Sequence, residues 1–408
     1  MSRHSTLMLS IVLLGPGLSV DWMAIDSWRG DVETHAGRAH TPEQNPPSKG
    51  DATSIPRAAA RPDRRRADID TGWALIQRGD YRGAIQTFNK AKDGSSQDPR
   101  VFLGLGLSHY RLAQYDSAIE NLERVLRLDG ALEQAHTLLG DVAFMRDQLA
   151  NAVRHYESAL TLNPNDVSIQ DGLFSVRRAQ QFEAGFARIV TPHFIVKCHE
   201  AQRMGLKGLA DRLEGLYERI GERLQHRPKE KIIVVLYSDG VFQEFTDSPS
   251  WAGGLFDGKI HLAVRRVLHA SSEADATLAH EYAHALVHRL AGGRAPTWLD
   301  EGLALYFEGR TPSWSDTILD RPQTELTPLH ALHGSFLSLP PREATLAYAE
   351  SLSATRVLIH RYGWSRVRRL LETLAQTDEF SAAFETALKE PYHVFEASWA
   401  AAQRHRSL

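Results

Sequence analysis

The stretch ADATLAHEYAHALVHRLAGGRAPTWLDEGLALYF, residues 274–307, carries the spacing that decides how the second half of the chain is built. Its first part is rich in alanine, opens behind Ser272 with Asp275 in a capping-box-like start, and stops at Gly292, so it reads as one helix. His280 and His284 are four apart within it and project from one face, where their imidazoles can converge on a single point, as a tetrahedral metal such as zinc requires. Glu281 stands one step round the helix. From there it can reach a metal-bound water without being a ligand, which suits a general base.

The HEYAH spacing by itself is weak, because a chain with 19 histidines meets it by accident from time to time. A second helix strengthens it. Pro296 and Thr297 mark its start, Thr297 with Asp300 reads as its cap, and Glu301 falls where the turn AGGRAP would fold it back beside the two histidines as a third ligand. Asp300 has two readings, a helix cap or a group orienting a histidine. His288 extends the histidine face, but a fourth protein ligand would close the site, so it reads as a supporting or surface residue.

Working outward, TPHFIVKC (191–198) reads as a strand, Arg203 to Gln225 as an amphipathic helix, and KIIVVLY (231–237) as a buried strand. GGLFDGKIHLAV (253–264) reads as one further strand entered through a glycine turn. If that strand forms an open edge, an extended peptide can pair with it, and His261 can touch that peptide. Helical patterns then run to the C-terminus, an α+β order. Cys198, the single cysteine, alternates with Phe194 and Val196 as a core thiol and rules out a framework of internal disulfides.

Before residue 188 the chain repeats itself. Gly72, Gly106 and Gly140 are 34 apart, as are Ala84, Ala118 and Ala152, then Phe88, Leu122 and Tyr156, then Tyr81, Tyr115 and Leu149. Asn163-Pro164 follows Asp129-Gly130 by the same step. This resembles tetratricopeptide repeats, three of them with Asp166 to Gln181 as a capping helix, over residues 68–184. Each unit buries its apolar face only against its neighbour. The concave face of such a stack either recruits a peptide or protein partner or serves as a support for the next domain, and the sequence leaves both open.

Residues 20–67, rich in Pro, Arg, Ser and Gly, read as a linker in which Arg64, Arg65 and Arg66 are a solvated basic run. Ahead of it, Arg3 and His4 precede the apolar run Leu7 to Leu14, broken at Gly15, so 1–19 reads as an export signal cut after Ser19, and the protein is expected to be secreted or periplasmic. That run is too short to span a bilayer, and no later stretch is long and apolar enough. With 408 residues, 42% of them apolar, and a net charge of −3, the chain has material for two or three domains and no bulk field for nucleic acid.

HEYAH with PTWLDEGLA downstream resembles the peptidase MA-like gluzincins, and the likeness reaches over residues 188–403. TPHFIVKC looks like that family's opening strand, GGLFDGKIHLAV like its edge strand, AYAESLSATRVLIHRYG (347–363) like its later tyrosine-bearing helix, and FEASWAA near the end also fits. The resemblance implies a Zn2+ ion on His280, His284 and Glu301, Glu281 as general base, and peptide-bond hydrolysis. It also implies an oxyanion donor, for which Tyr348 is the first candidate and Tyr306 the second. The fold class expected is therefore multidomain: an all-α tetratricopeptide solenoid followed by an α+β zincin-like metallopeptidase domain. A peptide or protein substrate follows, without nucleic acid and without a membrane span. Two alternatives use the same residues: a non-catalytic repeat scaffold with an idle peptidase-like domain, and zinc hydrolysis of a non-peptide amide.

Overall fold

The structure, a computed structural model, describes residues 9–12, 60–92, 97–246, 252–320, 325–336, 339–377 and 379–406. Of the expected export segment it describes only a short strand, β1 (Leu9–Val12); the rest of that segment, its cut after Ser19 and the linker up to residue 59 lie outside the described residues.

Helix α1 (Ala60–Gln77) starts inside what reads as linker, before the expected boundary at 68. Pro62 falls in its first turn, where a missing N–H breaks no helical bond, so the Pro- and Arg-rich composition does not prevent a helix there. Then come α2 (Tyr81–Ala91), α3 (Pro99–Arg111), α4 (Tyr115–Leu128), α5 (Glu133–Met145), α6 (Leu149–Leu162) and the capping helix α7 (Val167–Phe182). Asp166 caps α7 by accepting the Ile169 amide.

The 34-residue period has a direct physical reading. Phe88, fully buried, fills the space left by missing side chains at Gly72 and, on the next pair, at Gly104. Leu122 packs on Gly106, and Tyr156 lies between Gly140 and Gly172 in the same way. A Cβ on Gly104 would come within 2.3 Å of the Phe88 ring. Gly104→Val should therefore lower unfolding stability by about 1–3 kcal/mol through overpacking, checked by urea denaturation of the repeats. The period extends to the turns, since Gly79, Ala113 and Asp147, again 34 apart, all take positive φ (78°, 53° and 60°).

The second half opens with β2 (Phe186–Val190) and β3 (Phe194–His199), then a 3₁₀ segment at Glu200–Gly205, α8 (Leu206–Leu224), β4 (Ile232–Tyr237), α9 (Asp239–Thr246), β5 (Ala252–Phe256), β6 (Ile260–Ala263) and α10 (Val264–Val267). Strand β2 has no counterpart in the sequence reading: it is short, split by Arg188, and joins the capping helix almost directly. GGLFDGKIHLAV is a hairpin of two strands, not one. Gly258 turns it at φ 106°, and the Lys259 amide donates to Asp257 Oδ1.

Sheet order is β1-β5-β6-β4-β3-β2, with β3, β4 and β6 mutually parallel and the pairs β2–β3 and β5–β6 antiparallel. The expected edge strand is therefore corrected: His261 lies on the interior strand β6, and β5 is interior as well, flanked by β6 and by the parallel edge strand β1. Cys198 is a core residue, as expected, and burial pushes its thiol pKa up to about 11.

Helices complete the domain: α11 (Ser272–Ala291), α12 (Thr297–Glu308), α13 (Pro312–Leu319), α14 (Pro341–Leu374, broken at Gly363), α15 (Phe380–Leu388) and α16 (Tyr392–Arg406). One sheet face, with Val196, Val234 and Leu262, shares a core with α8, α11, α12 and α14. The other, with Ile195, Val235 and Leu255, packs on Phe242 of α9 and on Phe182 at the end of the repeats. Strands come first and helices after. Among the described residues no helix is long and apolar enough to cross a membrane.

The repeats lie against this domain. Met145 of α5 sits where a side chain on Gly258 would be, the Lys259 ammonium lies 4.2 Å from the centre of the Phe144 ring, and Arg294 donates to the Tyr81 hydroxyl at 2.6 Å. A supporting role for the stack is thus built into the fold.

Candidate metal centre and active site

Helix α11 begins one residue earlier than its pattern suggests, with Ser271 accepting the Ala274 amide, and ends at Gly292 with φ 60°. Gly293, also left-handed, continues the reversal that lays α12 against α11. Thr297 does not cap α12. Its hydroxyl donates to the His333 carbonyl, Pro296 occupies the cap position, and Asp300 is free of any capping duty.

Three donors meet between the two helices. His280 Nε2 lies 3.5 Å and His284 Nε2 3.6 Å from Glu301 Oε2, and all three residues are buried. Behind the rings, His280 Nδ1 donates to Glu308 Oε2 at 3.0 Å, while His284 Nδ1 lies 3.1 Å from Asp300 Oδ1, a charge contact without hydrogen-bond geometry. The bond to Glu308 orients the His280 ring with Nε2 turned inward, and the Asp300 charge favours the same orientation at His284. Glu308 is held in turn by the Arg310 guanidinium at 2.9 Å.

Electrostatics follow from this packing. Burial works against a charged His280 ring, but Glu301 and Glu308 outweigh it and push the pKa up to about 10. At His284 burial is likewise outweighed, by Asp300 and Glu301, and the pKa is raised. Burial would raise Glu308, yet His280 and Arg310 hold its carboxyl below the usual range.

Both Nε2 atoms and Glu301 Oε2 are buried without a hydrogen bond. A buried polar atom left in this state costs on the order of 1–3 kcal/mol, so three facing one another call for a common partner. Two imidazole nitrogens and a carboxylate oxygen are a donor set zinc accepts, and bonds of about 2.0–2.1 Å at tetrahedral angles would place donor atoms roughly 3.3 Å apart. The two separations to Glu301 are close to that, and all three donor atoms lie within 4.8 Å of one another. Among the described residues, this is also the group of three or more His, Cys, Asp or Glu side chains able to hold a metal.

Glu281 is fully buried beside β5, where a Cβ on Gly254 would fall 2.2 Å from its Oε1. Bare backbone at Gly254 is what allows β5 to pass over this carboxylate. Gly302 does the same for helices: a Cβ there would collide with Ser351 O and Thr355 Oγ1, so α12 and α14 cross closely. Tyr348 of α14 thereby comes within reach of the site. Burial, followed by the charges of Glu301 and Glu281, holds its phenol pKa well above the usual range.

Other expected residues go elsewhere. Tyr306 packs on Phe307 and Trp364, with Arg356 over its ring. His288 is partly buried and turned away from the donors. It lies 5.3 Å from the Phe256 ring in a cavity shared with Tyr115 and Met145 of the repeats, where burial lowers its pKa to about 4. His261 is fully buried, its Nε2 donating to Asp257 at 2.9 Å. Glu308 and Gly254 had no place in the sequence reading. Glu308 had one usable signal, since it lies seven residues after Glu301 on the same helix face.

Comparison with known proteins agrees with this layout. Residues 216–403 match the model of the Peptidase MA superfamily, and residues 57–99 and 103–167 match a tetratricopeptide repeat model. The chain thus carries repeats followed by a Peptidase MA superfamily domain. Among curated relatives it is similar to the small glutamine-rich tetratricopeptide repeat-containing protein 2 of Mycosarcoma maydis, 26% identical over 23% of this chain and 27% of the relative. It is also similar to the Hsp70-Hsp90 organizing protein of Triticum aestivum (23% identical; 26% and 18% of the two chains) and to the cell division cycle protein 27 homolog of Caenorhabditis elegans (34%; 19% and 10%). The chain spans about a quarter or less of the length of these relatives.

Proposed function

We propose that the C-terminal domain is a zinc-dependent peptidase in which His280, His284 and Glu301 hold the metal and Glu281 is the general base. The observation that carries this is the trio of buried, unsatisfied donor atoms whose histidines are oriented from behind by Asp300 and Glu308. When bound, zinc supplies an acidified water and polarises the scissile carbonyl.

The chain's own groups have separable tasks. Glu281 takes a proton from the attacking water on its carboxylate and delivers it to the leaving amine. Its enclosure beside Gly254 keeps that carboxylate out of bulk solvent. Tyr348 stays a neutral phenol at physiological pH and can donate to the developing oxyanion. Asp300 and Glu308 keep the imidazoles from rotating. The repeats recruit a protein substrate or partner.

Purified protein should hydrolyse an unstructured protein substrate, lose that activity to a chelator and regain it with zinc. Metal must displace the proton that Glu301 and Glu308 favour on His280 below about pH 10, so metal binding, and activity with it, should weaken progressively as pH is lowered. Persistent hydrolysis in chelator, or a flat profile, counts against the reading. A second reading, a repeat scaffold with an idle C-terminal domain, draws on the names of the relatives. Hydrolysis by the wild type excludes it.

A further inference from the structure

We propose that Asp147, in the repeat stack, is a positioning residue for β5, the strand that passes over Glu281 in the active site. The proposal rests on the peptidase reading for what that strand does, and on geometry alone for how it is held.

Asp147 occupies the third of the periodic left-handed turns, between α5 and α6, where the equivalent residues are Gly79 and Ala113. Aspartate tolerates that conformation, and here its carboxylate points away from the repeats. Oδ1 accepts the Lys197 ammonium of β3 at 2.8 Å and the Lys259 ammonium of the β5–β6 turn at 3.1 Å. Lys259 is fully buried and Lys197 nearly so. Two cations out of water share one carboxylate from the neighbouring domain.

The contacts close into a ring. From Lys259, the backbone amide donates to Asp257, Asp257 accepts His261 Nε2, and His261 Nδ1 lies 3.2 Å from the Tyr237 hydroxyl. Tyr237 donates to Glu183 Oε1 at 3.0 Å, and Glu183, which ends the capping helix, pairs with Lys197. The repeats therefore supply two carboxylates, Asp147 and Glu183, to two sheet lysines. Burial would raise the Asp147 and Asp257 carboxyls, but the neighbouring cations and His261 outweigh it and hold both below the usual range, consistent with an ionised network.

This ring grips the β5–β6 turn, and β5 runs from that turn straight to Gly254 against Glu281. Losing the Asp147 charge leaves Lys259 buried and unbalanced, and the hairpin can relieve that only by moving its turn toward water. Such a shift slides β5 over Glu281. A displacement of about 1 Å near a reacting group typically costs up to 10²-fold in rate.

The test uses the full chain and three variants: Asp147→Asn, which keeps the shape and tolerates the turn, Lys259→Met, and the two combined, which leaves Lys197 and Glu183 as a balanced pair. Hydrogen exchange is followed across residues 252–263 and 278–284. Each single variant should speed exchange in both segments, leave that of α8 unchanged, and lower kcat roughly 10- to 100-fold with KM and bound metal unchanged. The double variant should recover toward wild type. Faster exchange confined to the repeats, or a double variant that is worse than either single one, overturns the proposal. If wild type fails to hydrolyse any substrate, the peptidase reading fails, while the exchange and rescue results still decide whether Asp147 positions β5.

Discussion

Glu281→Gln lowers hydrolysis of an unstructured protein by roughly 10²- to 10⁴-fold while leaving bound metal at the wild-type level. The amide has the shape of the carboxylate, so the packing against Gly254 survives, but it cannot take a proton from water at neutral pH. Glu281 is not among the three converging donors, so their geometry is expected to be undisturbed. Parallel assays of turnover and metal content check both halves. Loss of metal would make Glu281 a ligand rather than a base. Unchanged turnover would place the chemistry elsewhere.

The second large effect is expected at Glu301. Glu301→Ala removes the oxygen to which both Nε2 atoms are directed, leaving two imidazoles and a buried cleft between α11 and α12. Metal should be absent from the purified variant and activity should vanish with it, because two neutral nitrogens alone form an incomplete site. A gradation separates ligands from supports. Asp300→Ala and Glu308→Ala should each weaken metal affinity by roughly 10- to 100-fold without abolishing it, read by competition with a chelator of known affinity. Equal losses for Glu301 and for the two supporting carboxylates would contradict the assignment.

The two halves of the site differed in how openly the sequence displayed them. His280, Glu281 and His284 lie on one helix, so their spacing already sets their positions relative to one another, although it does not by itself establish a site. Glu301 was located through a cap that does not exist: Thr297 bonds the His333 carbonyl, and Asp300, read as part of that cap, instead holds His284. Local chemistry at a helix start and the tertiary demand of an imidazole use the same residue type, and only the fold tells them apart. Tyr348 was suggested by resemblance, and the close crossing at Gly302 is what brings it to Glu301.

Glycine explains much of what was hidden. GGLFDGKIHLAV reads as one strand entered through a glycine turn, yet Gly254 is mid-strand against a carboxylate and Gly258 turns a hairpin. A missing side chain leaves no pattern of its own. The repeats were legible because Phe88, Leu122 and Tyr156 recur against glycines at a fixed step, whereas Asp147 sits on that same period and owes its partners to another domain. His288, which extends the histidine face, is a partly buried residue beside the repeats, and His261, read as a substrate contact, is an interior residue of the sheet.

Metal analysis of the purified full-length protein tests the central claim most directly. Wild type, loaded with zinc and dialysed against metal-free buffer, should retain about one zinc per chain, and His280→Ala treated identically should retain almost none. A wild-type protein that keeps no stoichiometric zinc, or a His280→Ala variant that keeps as much as wild type, would contradict the account.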